Sequence, residues 1–139
     1  METILAVLAD AANSTAEGKL NMLGVFLTLY TNEVPARHPQ MSLVLMFKAR
    51  PDEKGTSQRI KVTLIDADGA IVSSPFDVTV EIPAELPGLS PEFNLTLELR
   101  DTVFPKFGTY SFDVSINDGH KHAVPLQVSP LALLRGGPM

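Results

Sequence analysis

Apolar and polar residues alternate with a period of two along most of the chain. Ile60, Val62 and Leu64 alternate with Arg59, Lys61 and Thr63. Phe76, Val78, Val80 and Ile82 do so over 76–82, and Phe93, Leu95, Leu97 and Leu99 over 92–100. Tyr110, Phe112, Val114 and Ile116 follow over 109–117. Such alternation predicts strands with one core face and one wet face. Turn chemistry falls between them. Asp66-Ala67-Asp68-Gly69 and Asn117-Asp118-Gly119 read as hairpin turns in which Gly takes the positive φ, and Pro51–Gly55 and Pro83–Pro91 read as loops. Pro125 cannot donate to a ladder, which predicts a sheet edge for 123–128. Gly24 interrupts Leu20–Tyr30 and predicts a bulge or bend. Helical signals are confined to one possible turn in Ala9–Lys19 and one in Leu131–Leu134. Strands recur without a βαβ rhythm. The expected fold is therefore all-β: an antiparallel β-sandwich of about eight strands, immunoglobulin-like in class, over residues 1–128, with a C-terminal tail at 129–139.

The N-terminal strands depart from this alternation. Segments 4–9, 25–30 and 43–47 carry apolar side chains on both faces. A sandwich sheet needs only one apolar face, so the second must be covered. The expected contact surface comprises Ile4, Leu8, Phe26, Tyr30, Val44 and Met46. Its cover is a loop or the tail with Leu131, Leu133 and Leu134, a second copy of the chain, or another protein.

Composition narrows the function. A chain of 139 residues is one domain with room for one core. There is no Cys, which excludes disulfides, thiolate metal sites and Cys nucleophiles. A net charge of −5 argues against a phosphate-backbone binder, and the aromatics fall mostly on core positions, so no nucleic-acid partner is expected. Glu2 and Asp10 bracket an apolar stretch too short for a secretory leader. No run approaches the roughly 18 apolar residues of a membrane span. A cytoplasmic location without membrane contact is expected.

Candidate chemistry is sparse. His120 and His122 share a strand face and, with Asp118, would make a minimal metal site; a solvated hairpin tip is the simpler reading. Asp66, Asp68 and Asp118 suit turn formation better than calcium. Glu81, Glu92 and Glu98 fall on wet faces, where a carboxyl has little reason to titrate abnormally, and Glu85 lies in a loop. No G-x-S-x-G and no phosphate-binding Gly loop occurs. No catalytic residue, metal ligand or cofactor is expected, and the protein is read as a non-enzyme.

Phe104-Pro105-Lys106-Phe107-Gly108-Thr109-Tyr110 is more distinctive. It predicts a corner at which the Tyr hydroxyl returns to the backbone. Together with Leu8-Ala9-Asp10-Ala11-Ala12-Asn13 and Glu17-Gly18-Lys19-Leu20-Asn21-Met22-Leu23-Gly24-Val25-Phe26, it resembles a family of small bacterial proteins known only as a domain of unknown function. Phe107 replaces a Pro of that pattern. The resemblance implies an all-β fold and a bacterial cytoplasmic setting, and no activity. Within the first motif Asp10 and Asn13 are expected to cap a turn, Gly18 to take positive φ and Lys19 to pair with Asp10; a polar binding spot is the alternative. The expected function is protein interaction or assembly, as a homo-oligomer or with another protein. The alternative is a small-ligand or carbohydrate-binding sandwich with its site in the end loops.

Overall fold

The computed structural model describes residues 1–85 and 91–135, apart from the side chains of His120, Leu134 and Arg135. Among the described residues, the strands are β1 (Glu2–Ser14), β2 (Leu20–Phe26), β3 (Thr28–Thr31), β4 (Ala36–Lys48), β5 (Ser57–Asp66), β6 (Phe76–Glu81), β7 (Glu92–Phe104), β8 (Gly108–Ile116) and β9 (His120–Pro130). That is nine strands rather than about eight, because the Leu20–Tyr30 run splits at Leu27 into strands of different sheets. The order is β2-β1-β4-β7 in a four-stranded sheet and β3-β9-β8-β5-β6 in a five-stranded one. A short helix, α1 (Leu131–Arg135), follows β9, while Ala9–Lys19 is strand and turn with no helix.

The core lies between the two sheets. Leu43, Leu45 and Phe47 of β4 and Leu97 of β7 meet Ile60, Val62, Phe112, Val114 and Leu126 of the other sheet. The alternating faces of β5 and β8 are fully buried as their period predicts. β6 is an edge strand, so its Phe76 remains exposed and Val78 and Val80 half-buried. β9 is interior rather than an edge. Pro125 is accommodated because β3 pairs only from Gln127 to Pro130, which leaves the strand unpaired on that side at Pro125. At the β8–β9 turn the positive φ falls on Asn117 and Asp118 and not on Gly119. Both are residue types that tolerate the left-handed region. Tyr110 makes the predicted corner: its hydroxyl donates to the Lys106 carbonyl at 2.6 Å and accepts from the Lys106 N–H at 3.2 Å.

The second apolar face of the first sheet is covered by the chain's own N-terminal hairpin. Register places Leu5, Met46 and Asn94 side by side on β1, β4 and β7. Gly18, in the β1–β2 turn, lies 13 residues further along the chain than Leu5. A straight hairpin would put it about 30 Å or more from that level. Instead the Asn94 side-chain amide donates to the Gly18 carbonyl at 2.7 Å. The outer half of the β1–β2 hairpin therefore folds back over the sheet. Beneath it Ala9, Ser42 and Val44 are closed to solvent, although the five-stranded sheet lies on the opposite side.

The fold-back has a local cause. β1 and β2 pair at Ala9↔Val25 and resume at Ala11↔Leu23, and between these Gly24 has φ +70°. A Cβ on Gly24 would collide with the Asp10 carboxylate. Gly24→Ala should cost roughly 2 kcal/mol or more, the left-handed penalty plus displacement of Asp10. Gly18, at φ +83°, has open space around it, so Gly18→Ala should cost only about 1 kcal/mol. Urea unfolding of both variants checks this; equal losses would contradict the close approach.

Candidate functional site

The residues expected to form one contact surface are distributed over several. Leu8 and Phe26 face the core between the sheets. Val44 and Met46 face the other way, Val44 fully buried under the hairpin and Met46 half-buried. Ile4 sits at the register break between Thr3 and Leu5 and is exposed. Tyr30 belongs to the five-stranded sheet. Leu131 is half-buried and Leu133 exposed on α1, which packs against β3 and β9 of the five-stranded sheet. The Leu134 side chain lies outside the described residues. The six residues do not share one face: the bent hairpin, an internal cover of the kind expected, lies over Val44, and no local pattern announces its bend except Gly24.

Two surfaces remain with functional potential. The first is the side of the sandwich formed by β2 and β3, which run consecutively as the edge strands of the two sheets. Leu23 is 73% exposed, Val25 55%, Leu27 63% and Tyr30 41%. No charged residue occurs from Leu20 to Asn32. The opposite side, β6 and β7, carries Asp77, Glu81, Glu92, Glu98, Arg100 and Asp101. Charges on edge strands discourage pairing with other chains, so one side of the sandwich is guarded and the other is not. Sequence reading missed Leu23, Val25 and Leu27; the signal available was the uncharged run itself.

The second is a cavity of about 230 Å³ at the end of the sandwich where β3 turns into β4. Tyr30, Arg37, His38 and Phe104 are among its lining residues. His38 packs at 6.3 Å from the Phe26 ring, and its Nε2 is buried without a hydrogen-bond partner.

The other candidate chemistry has structural explanations. Asp66 Oδ1 accepts from the N–H groups of Asp68 and Ala70, both at 2.9 Å, which closes the turn. Asp118 lies 3.5 Å from Arg59. Arg59 also hydrogen-bonds Asp77, which holds the guanidinium charged and the Asp77 carboxyl below its usual range. Burial pushes the Glu53 carboxyl up, but the Arg50 backbone N–H and the Met1 ammonium draw it below the ordinary value. Lys19 lies 3.8 Å from Glu17, not beside Asp10. Asn13 accepts from the Asn21 amide at 2.9 Å, and Gly18 takes the expected positive φ. His122 is exposed, and the His120 side chain lies outside the described residues. Among the described residues no group of three or more His, Cys, Asp or Glu is placed to hold a metal ion, and no helix is long and apolar enough to cross a membrane.

Comparison with curated proteins and with solved structures finds no match. Comparison with family models gives one that spans most of the chain. Residues 4–129 match a family of unknown function, DUF6941, and over that span the chain belongs to this family.

Proposed function

We propose that the protein is a non-enzymatic assembly module that associates with a second copy of itself through the uncharged β2–β3 side. The observation that carries this is the contrast between the two sides of the sandwich: Leu23, Val25, Leu27 and Tyr30 exposed on one, six charged residues on the other. Each copy carries −5, so two copies meet with least repulsion at the side that has no charge. A two-fold contact is self-complementary and closes, which makes a dimer the simplest assembly. Four exposed side chains and their surroundings would bury roughly 800–1,000 Å² over both copies, the size of a weak, reversible interface. A micromolar dimer is expected.

We further assign the sandwich to the immunoglobulin-like class. Support comes from the order β3-β9-β8-β5-β6 with β3 parallel to β9, and from the Tyr110 corner. A cysteine-free chain suits a reducing cytoplasm, where we place it.

Sedimentation velocity on Leu23→Lys tests the contact. The variant should lose association, because a lysine within the strip must be desolvated on both copies. Val103→Lys, a change at an exposed apolar residue of β7, should leave association unchanged. Equal behaviour of the two variants would rule out the β2–β3 side as the contact.

A further inference from the structure

We infer that the outer face of the five-stranded sheet binds a free α-amino acid with an aliphatic side chain. Three strands assemble the site. Lys61 of β5, Ser115 of β8 and Lys121 of β9 are register partners, so they form one row across the sheet. Their neighbours Ile60, Val62, Val114 and Ile116 are buried between the sheets, which turns the row away from the core. Thr63 and Asp113 form the next row on the same face, and Ile65 lies in the one after. These rows line a cavity of about 330 Å³, with Ile71 beside Ile65, to which it is bridged, at the far end.

The rows differ in character. The first is cationic. Neither Lys61 nor Lys121 makes an ion pair among the described residues, and Asp77, opposite Lys61 on β6, is already hydrogen-bonded to Arg59. The second row carries one carboxylate. Asp113 Oδ1 accepts from the Ser111 hydroxyl at 2.8 Å, and the other carboxylate oxygen has no partner among the described residues. The third is apolar: Ile65 is half-buried on the outer face and Ile71 is 64% exposed.

An α-amino acid presents the three matching groups from one carbon. Its carboxylate suits the lysine row, its ammonium Asp113, and its side chain the two isoleucines. Adjacent rows are about 7 Å apart, a step that flexible lysine stems close onto a carboxylate held beside Asp113. A lone anion such as phosphate would meet Asp113, and Asp118, which also lines the cavity. A lone amine would meet two ammoniums. A zwitterion satisfies both signs, and a hydrocarbon side chain takes Ile65 and Ile71 out of water. The volume matches about eleven waters, room for a free amino acid with part of its hydration.

The test titrates leucine into the full chain and follows the backbone amide NMR signals. Signals of β5, β8 and β9 around Lys61, Ser115 and Lys121 should shift and saturate with a Kd below about 10 mM, a weak affinity in keeping with a small ligand. Isocaproate, which lacks the ammonium, and isoamylamine, which lacks the carboxylate, should each bind at least tenfold more weakly. Glycine, which lacks the side chain, should also bind more weakly than leucine. Two variants assign the charges, both at side chains outside the core that should leave the fold intact. Lys121→Gln should reduce the preference for leucine over isoamylamine, and Asp113→Asn the preference for leucine over isocaproate. No saturable shift with leucine up to about 50 mM would overturn the inference. So would equal binding of either analogue, an unchanged preference in either variant, or inorganic phosphate binding more tightly than leucine. The assembly reading stands apart from this result, since it is read from mass in Leu23→Lys.

Discussion

Val44→Asp unfolds the protein. Val44 lies on the side of its sheet that faces away from the other sheet, where a half-polar strand would normally put a wet residue. Yet it is closed to solvent. A carboxylate there has no cation within its strand neighbourhood: Val7 and Thr96 flank it in register on β1 and β4's other neighbour, β7. Burying an unpaired charge costs roughly 5 kcal/mol or more, comparable with the whole stability of a small domain, about 5–15 kcal/mol. Val44→Ala keeps the experiment informative if the Asp variant is insoluble. It should cost about 2 kcal/mol by loss of two buried carbons. Both are read by circular dichroism and thermal melting. A soluble, fully folded Val44→Asp would mean that the hairpin does not cover this face.

Phe104→Ala carries the second large effect, about 3–5 kcal/mol. Phe104 is buried at the end of β7 and meets the Tyr110 ring edge-on at 5.1 Å. Removing it opens a void beside the corner that orients residues 105–107 and strips one wall from the end cavity. The melting temperature should fall by about 10–20 °C. Tyr110→Phe keeps the ring and loses only the hydrogen bonds to Lys106, so it should cost about 1–2 kcal/mol. A Phe104→Ala variant that melts within about 3 °C of the parent would contradict this account of the corner.

The parts of the fold visible in the sequence are those in which one strand face meets one core. Ile60, Val62 and Leu64, and Tyr110 to Ile116, alternate in sequence and are buried in alternation. The Tyr110 corner was visible because its residues are contiguous. The N-terminal half was harder to read because its strands serve two cores. Leu8 and Val44 both avoid water, one between the sheets and one under the hairpin, so hydrophobicity alone assigned them to a shared surface that does not exist. Leu23, Val25 and Leu27 show the converse: an apolar run does not say which of its residues stay in water, and the strand order leaves these three at an edge. The end cavity depends on β3, β4, β7 and β9 converging, which no local motif encodes.

The measurement closest to the central claim is absolute mass by light scattering over a concentration series from about 1 to 500 μM, spanning the micromolar association expected. The account predicts a mass that rises from the 15.0 kDa of one chain toward twice that value, and a rise that disappears in Leu23→Lys. A mass of 15.0 kDa at every concentration would contradict self-association through the β2–β3 side.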